Sequence, residues 1–127
     1  METSCNVPMY RTNIPNQVSG PFGGNLVVSM RPYEKSDVKT VTEITSSYPG
    51  AHGDPIHVGD PKSIGIQDID RPDFGDTIEI RNNEIPVFWA CGVTPQSAIE
   101  AAKIPLAITH SPGHMLICDV LNSELRV

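Results

Sequence analysis

Hydrophobic positions along the chain follow two periods, and the switches between them outline the elements. The run LVVSM at 26–30 is short and rich in β-branched residues, which predicts a buried strand closed by Arg31-Pro32. Residues 34–47 then carry Val38, Val41 and Ile44, with Tyr48 beyond, at three- and four-residue intervals. That spacing predicts an amphipathic helix, stopped by Pro49-Gly50. Residues 55–58 alternate weakly and predict a short strand, and Asp60-Pro61 has the order of a cap and a first helical residue. An edge strand is expected over 77–80, a turn at Asn82-Asn83, and a strongly apolar strand over 85–90. Thr94 as N-cap and Pro95 in the first turn predict a helix over 96–103, ended by Pro105. Residues 106–109 read as a further strand, Ser111-Pro112-Gly113-His114 as a tight turn, and 115–118 as an antiparallel return. The sum is an α+β fold: a mixed β-sheet of short strands, two main helices, and a C-terminal strand–helix–strand–hairpin unit.

The stretch 6–24 breaks this pattern. It is polar and turn-rich, with Pro8, Pro15 and Pro21 among several glycines, and reads as an extended or looped segment. Irregular segments of that length are usually functional or packed on something else. Residues 1–5 read as a disordered lead and 6–127 as a single domain, in keeping with a chain of 127 residues. The net charge of -6 and scattered basic residues argue against a nucleic-acid partner. No apolar run approaches membrane-spanning length, so no membrane partner is expected. The N-terminus lacks a basic-then-apolar pattern, so no secretory signal is expected either. Cys5, Cys91 and Cys118 are odd in number and widely spaced, which fits free thiols in a reducing compartment. No Cys-x-x-Cys pair occurs, so no structural zinc site is expected, and no cofactor or metal ligand is assigned.

Candidate chemistry gathers at four places. At Ala90-Cys91-Gly92-Val93-Thr94-Pro95 a strand gives way to a helix, whose first-turn amides are unpaired donors with partial positive charge. A carboxylate or a reaction oxyanion is favoured there, with Gly92 and Thr94 beside it. The same field would stabilise a Cys91 thiolate; equally, Cys91 can be a small buried apolar residue and Gly92 only a turn. His110 and His114 bracket the next loop, and imidazoles suit proton transfer near neutral pH. If the strands on either side of the helix were adjacent and parallel, His110 and Cys91 would open on one edge. In HGDPIHVGD at 52–60, two histidines and two aspartates match no metal spacing, but His57 stands as a candidate site residue. Last, Arg11 in Tyr10-Arg11-Thr12-Asn13 is a natural bidentate partner for a carboxylate.

Taken together, NVPMYRTNI at 6–14, HGDPIHVGDP at 52–61, PVFWACGVTPQ at 86–96 and AITHSPGHM at 107–115 resemble the D-glutamate cyclase family, whose bacterial members are called "putative hydro-lyases". The chain is similar to the C-terminal half of that family. The resemblance implies dehydration of D-glutamate to 5-oxo-D-proline in the cytoplasm, or in the mitochondrial matrix if the source is eukaryotic. It implies an amino dicarboxylate as the small-molecule partner and is compatible with a homo-oligomer. On the matched motifs it implies Arg11 as carboxylate anchor with Asn13 beside it, and Gly92 and Thr94 holding the reacting carboxyl. His110 would be the acid/base, supported by His114, and Cys91 an electrostatic or nucleophilic group. The alternative is a non-catalytic carboxylate-binding or structural half-domain that needs the N-terminal part.

Overall fold

The computed structural model describes residues 5–114 and 117–127. Four strands form one sheet in the order β1-β2-β4-β3, where β1 is Met9–Pro15, β2 Asn25–Glu34, β3 His57–Val58 and β4 Glu84–Ala90. Two α-helices, α1 (Val38–Ser46) and α2 (Val93–Ala101), accompany it, with 3-10 turns at Pro61–Ile64 and Asn122–Leu125. The fold is α+β. All three ladders are antiparallel.

Register places alternate side chains on two faces. Tyr10 stands opposite Val28, and Met30 opposite Phe88. These four, with Ile64 and Ile66 folded over them, form one core cluster. Met9, Val27 and Cys91 face the other way and meet Val93 and Phe74 in a second cluster. Tyr10, Val27, Val28, Met30 and Phe88 are almost wholly removed from water. The 3-10 turn that closes the first cluster is built as its sequence suggests. Asp60 accepts from Lys62 N–H at 3.0 Å, Pro61 follows, and Gly65 ends it in the left-handed region. Helix α1 leans on the second face, where Trp89 Nε1–H donates to Thr45 Oγ1 at 3.3 Å.

The structure departs from the sequence pattern in three places. Residues 9–15, expected as extended or looped chain, form strand β1 of the ladder. Its outer edge is closed by the 73–74 segment: Asp73 N–H and Phe74 N–H both reach the Met9 carbonyl, and Met9 N–H donates to Phe74 O at 2.9 Å. Residues 77–80 make no ladder.

The third departure concerns the C-terminal unit. Residues 106–109 do not return to the sheet; Leu106 is 78% and Ile108 92% exposed. The sheet order supplies the reason. Strand β4 already has β2 on one side and β3 on the other, so no edge beside it is left for a parallel strand. The mixed sheet and the strand–helix–strand–hairpin unit are therefore replaced by an antiparallel sheet with α2 packed on β2. Of the expected return strand, Met115 and Leu116 lie outside the described residues, and Ile117 and Cys118 join no ladder.

Candidate active site

Strand β4 runs out at Ala90, and Cys91 N–H makes the last bond to β2, donating to Val27 O at 2.9 Å. Helix α2 begins two residues later, with Gly92 in the cap position. Thr94 is not the cap. It sits in the first turn, and its hydroxyl is clasped to the β2 backbone, accepting from Val27 N–H at 3.0 Å and donating to Val27 O at 3.1 Å. The helix consequently starts earlier than the Thr-Pro signal suggests. Val27 is fully buried, so without Thr94 its N–H would lose that partner.

Gly92 has ordinary helical dihedrals, φ -61° and ψ -9°, and a Cβ built there would meet nothing within 4 Å. Neither backbone strain nor crowding demands glycine at the cap. The space beside Gly92 is open, whereas two first-turn amides are already engaged: Thr94 N–H donates to Cys91 O at 3.0 Å, and the Val93 backbone N–H to the Cys91 sulfur.

The loop after α2 is brought to this turn by side chains. Gln96 Nε2–H donates to the His110 carbonyl at 2.9 Å. Asn6 Nδ2–H donates to the Pro112 carbonyl at 3.1 Å. Gly113 lies at φ +76°, where a Cβ would overlap the Asn6 carboxamide, so glycine is required at that position. His110 and His114 are exposed, and each directs Nδ1 at a carbonyl, of Ser111 at 2.8 Å and of Pro112 at 3.2 Å. A carbonyl only accepts, so Nδ1 carries a hydrogen in both rings, and in the neutral form of each the lone pair is on Nε2.

Three of the sequence motifs therefore meet at one place, through Asn6, Gln96 and the His110–Gly113 loop. The D-glutamate cyclase family model matches residues 1–119. The chain belongs to the D-glutamate cyclase family. Its relatives include proteins of Burkholderia cenocepacia and Bordetella petrii named "putative hydro-lyase", each 58% identical over 127 residues. The alignments take in 100% of this chain but only 49% and 48% of those proteins. The chain thus spans about half the length of the curated relatives it matches.

The other expected site residues of this D-glutamate cyclase-family chain are more scattered. Cys91 is half-buried beneath Val27 and Val93. Burial pushes its thiol up, outweighing the Val93 backbone hydrogen bond and the Arg31 charge that act the other way. The expected thiolate stabilisation is therefore overridden, and the group rests as a neutral thiol.

Arg11 shares the sheet face of Cys91 but is engaged elsewhere. Its guanidinium bonds Asp73 at 3.3 Å and Glu100 of α2 at 3.2 Å, and lies 4.8 Å from the Phe74 ring centre. It also lines a cavity of about 480 Å³ with Tyr10, Arg71, Asp68 and Asp73, which none of Cys91, His110 and His114 borders.

Asn13 abuts Gly65, on the side of the Pro61–Ile64 turn. His57 is on the far face from Cys91: it stands opposite Phe88, rests against that ring at 5.8 Å, and spends Nε2 on the Asp60 carbonyl at 2.8 Å. The structure sets Cys91, Gly92 and Thr94 at the start of α2 and ties the His110 backbone to Gln96 of the same helix. It does not bring Asn13 or His57 to them.

Two positioning residues escaped the sequence reading. Gln96 read only as a helical residue, and Asn6 only as loop; a polar side chain beside a glycine-containing turn was the one signal available for either. Among the described residues, no group of three His, Cys, Asp or Glu side chains could hold a metal.

Proposed function

We propose that this domain contributes to dehydration of D-glutamate to 5-oxo-D-proline, with the reacting carboxyl held at the first turn of α2. In that reaction the amine nitrogen forms a bond to the side-chain carboxyl carbon, a C–O bond breaks, and one water leaves. It needs donors for the tetrahedral oxyanion and a group to protonate the departing oxygen. The observation that carries the reading is the Gln96–His110 hydrogen bond, which tethers an imidazole-bearing loop to the helix whose positive end faces the carboxyl. Open space beside Gly92 admits a ligand to the start of that helix. Cys91 acts here as a neutral group under the start of the helix rather than as a nucleophile. Arg11 anchors the α-carboxylate by exchanging its exposed Glu100 partner for the substrate's.

A second reading has its own support. Arg11 already satisfies itself with Asp73 and Glu100, and the chain covers half of its relatives. On that reading the domain binds a carboxylate, or completes a larger fold, without turnover.

One assay separates the two. This chain and the full-length Burkholderia cenocepacia relative are each incubated with carbon-13-labelled D-glutamate, and 5-oxoproline is followed by NMR. Product from both supports catalysis within this half. Product from the relative alone supports the binding reading. Product from neither overturns the D-glutamate assignment.

A further inference from the structure

The outer edge of β4 offers three carbonyls beyond the ladder with β2, and one segment takes all three. Gly59 N–H donates to Pro86 O at 2.9 Å and Ile56 N–H to Phe88 O at 2.7 Å. At Ala90 the donor is no longer backbone: His52 Nδ1 reaches that carbonyl at 2.6 Å. His52 is exposed, and Ala90 immediately precedes Cys91 and Gly92. Its ring is thus fastened to the strand end from which α2 departs.

We propose that His52 is a further catalytic residue of the α2 site, the base that takes the substrate's ammonium proton. This rests on the D-glutamate reading above and deepens it. The bond to Ala90 O requires the hydrogen on Nδ1, which leaves the Nε2 lone pair free. His57 offers no such atom at this place, because its Nε2 is spent on Asp60 across the sheet. Cyclisation calls for two proton carriers with different tasks. His52 Nε2 accepts one proton from the ammonium, and the freed amine lone pair forms the bond to the carboxyl carbon. The nitrogen then sheds a second proton to His110 Nε2. A protonated His110 donates to the leaving oxygen as the C–O bond breaks. Both nitrogen-derived protons end on the departing water, once His52 passes its proton back, so the cycle closes without an outside acid or base.

A merely structural His52 would need only its Nδ1–H, and asparagine can offer an N–H from a comparable position. His52→Asn therefore separates the roles, and His52→Gln, whose amide reaches toward Nε2, is its complement. Imidazole nitrogen-15 spectra and amide spectra of this chain would be recorded with D-glutamate and with 5-oxoproline.

The expected result is that D-glutamate displaces the His52 Nε2 resonance along with that of His110. His52→Asn should keep the wild-type thermal midpoint yet bind D-glutamate about tenfold more weakly, as loss of a hydrogen bond to a charged group predicts. His52→Gln should lower the midpoint. If His110 responds while His52 does not, or if His52→Asn binds as wild type, the His52 proposal falls and the D-glutamate reading stands. If neither histidine responds and no binding is detected, both fall for this chain.

Discussion

Gln96 and His110, fourteen positions apart in sequence, are joined by a single bond from the Gln96 carboxamide to the His110 carbonyl. The bond ties the histidine loop to helix α2 in place of any strand pairing. Exposed Leu106 and Ile108 show that little else holds the intervening chain. Replacing Gln96 with Ala should leave the sheet intact and raise amide exchange across 104–114 several-fold, at a global cost of about 1 kcal/mol. Hydrogen-exchange mass spectrometry checks this, and unchanged protection in that segment would contradict it.

Thr94 makes a different prediction, because its hydroxyl serves the sheet. Thr94→Val keeps the shape but leaves the buried Val27 N–H without that acceptor, a loss of about 1–3 kcal/mol. Thr94→Ser retains the oxygen and should cost clearly less. Denaturant midpoints of the pair measure the difference.

The two loop glycines should respond oppositely to alanine. Gly113→Ala forces a Cβ into Asn6 at a positive φ and should loosen the His110 loop. Gly92→Ala meets empty space at helical dihedrals and should hold stability within about 0.5 kcal/mol of wild type. Any loss of D-glutamate binding by Gly92→Ala then reflects approach of the ligand and not folding.

Tyr10 sets the alkaline limit. Burial, reinforced by the Asp70, Asp68 and Asp73 charges, pushes its phenol from 10.0 up to about 12. Its hydroxyl also donates to Ile69 O at 2.7 Å. Above pH 10 the unfolded chain loses this proton while the folded chain keeps it. The unfolded state then binds fewer protons, so stability falls as pH rises from 10 to 12 and is insensitive to Tyr10 below that window. Denaturant midpoints across this range, with Tyr10→Phe as control, should show the slope in wild type and a shallower one in the variant.

Cys91 should be the slowest of the three cysteines to alkylate at neutral pH. Its thiol is half-buried and pushed up, whereas Cys5 and Cys118 are exposed. Peptide mass spectrometry after brief iodoacetamide treatment ranks them.

Much of this architecture was legible in local pattern. Period 3.6 marked α1, the apolar run at 85–90 marked β4, and Asp60-Pro61 marked the 3-10 turn. Strand β1 was not legible, because Pro8, Asn13 and Pro15 are turn formers and its extended form comes from pairing with β2 and closure by Asp73 and Phe74. The opposite failure occurred at 106–109, where alternation describes a strand but cannot supply a free edge. The same division holds at the site. Motifs marked the α2 junction and His110, whereas the Thr94–Val27 clasp, the Gln96 tether and the His52 cap are long-range bonds that no local spacing encodes.

The most direct test of a carboxylate site at the α2 first turn is an amide NMR titration of this chain with D-glutamate. The largest displacements are expected at the Gly92 amide and at His110, with Gly92→Ala reducing them. Displacements confined to the Arg11–Arg71 cavity, or none at saturating ligand, would contradict it.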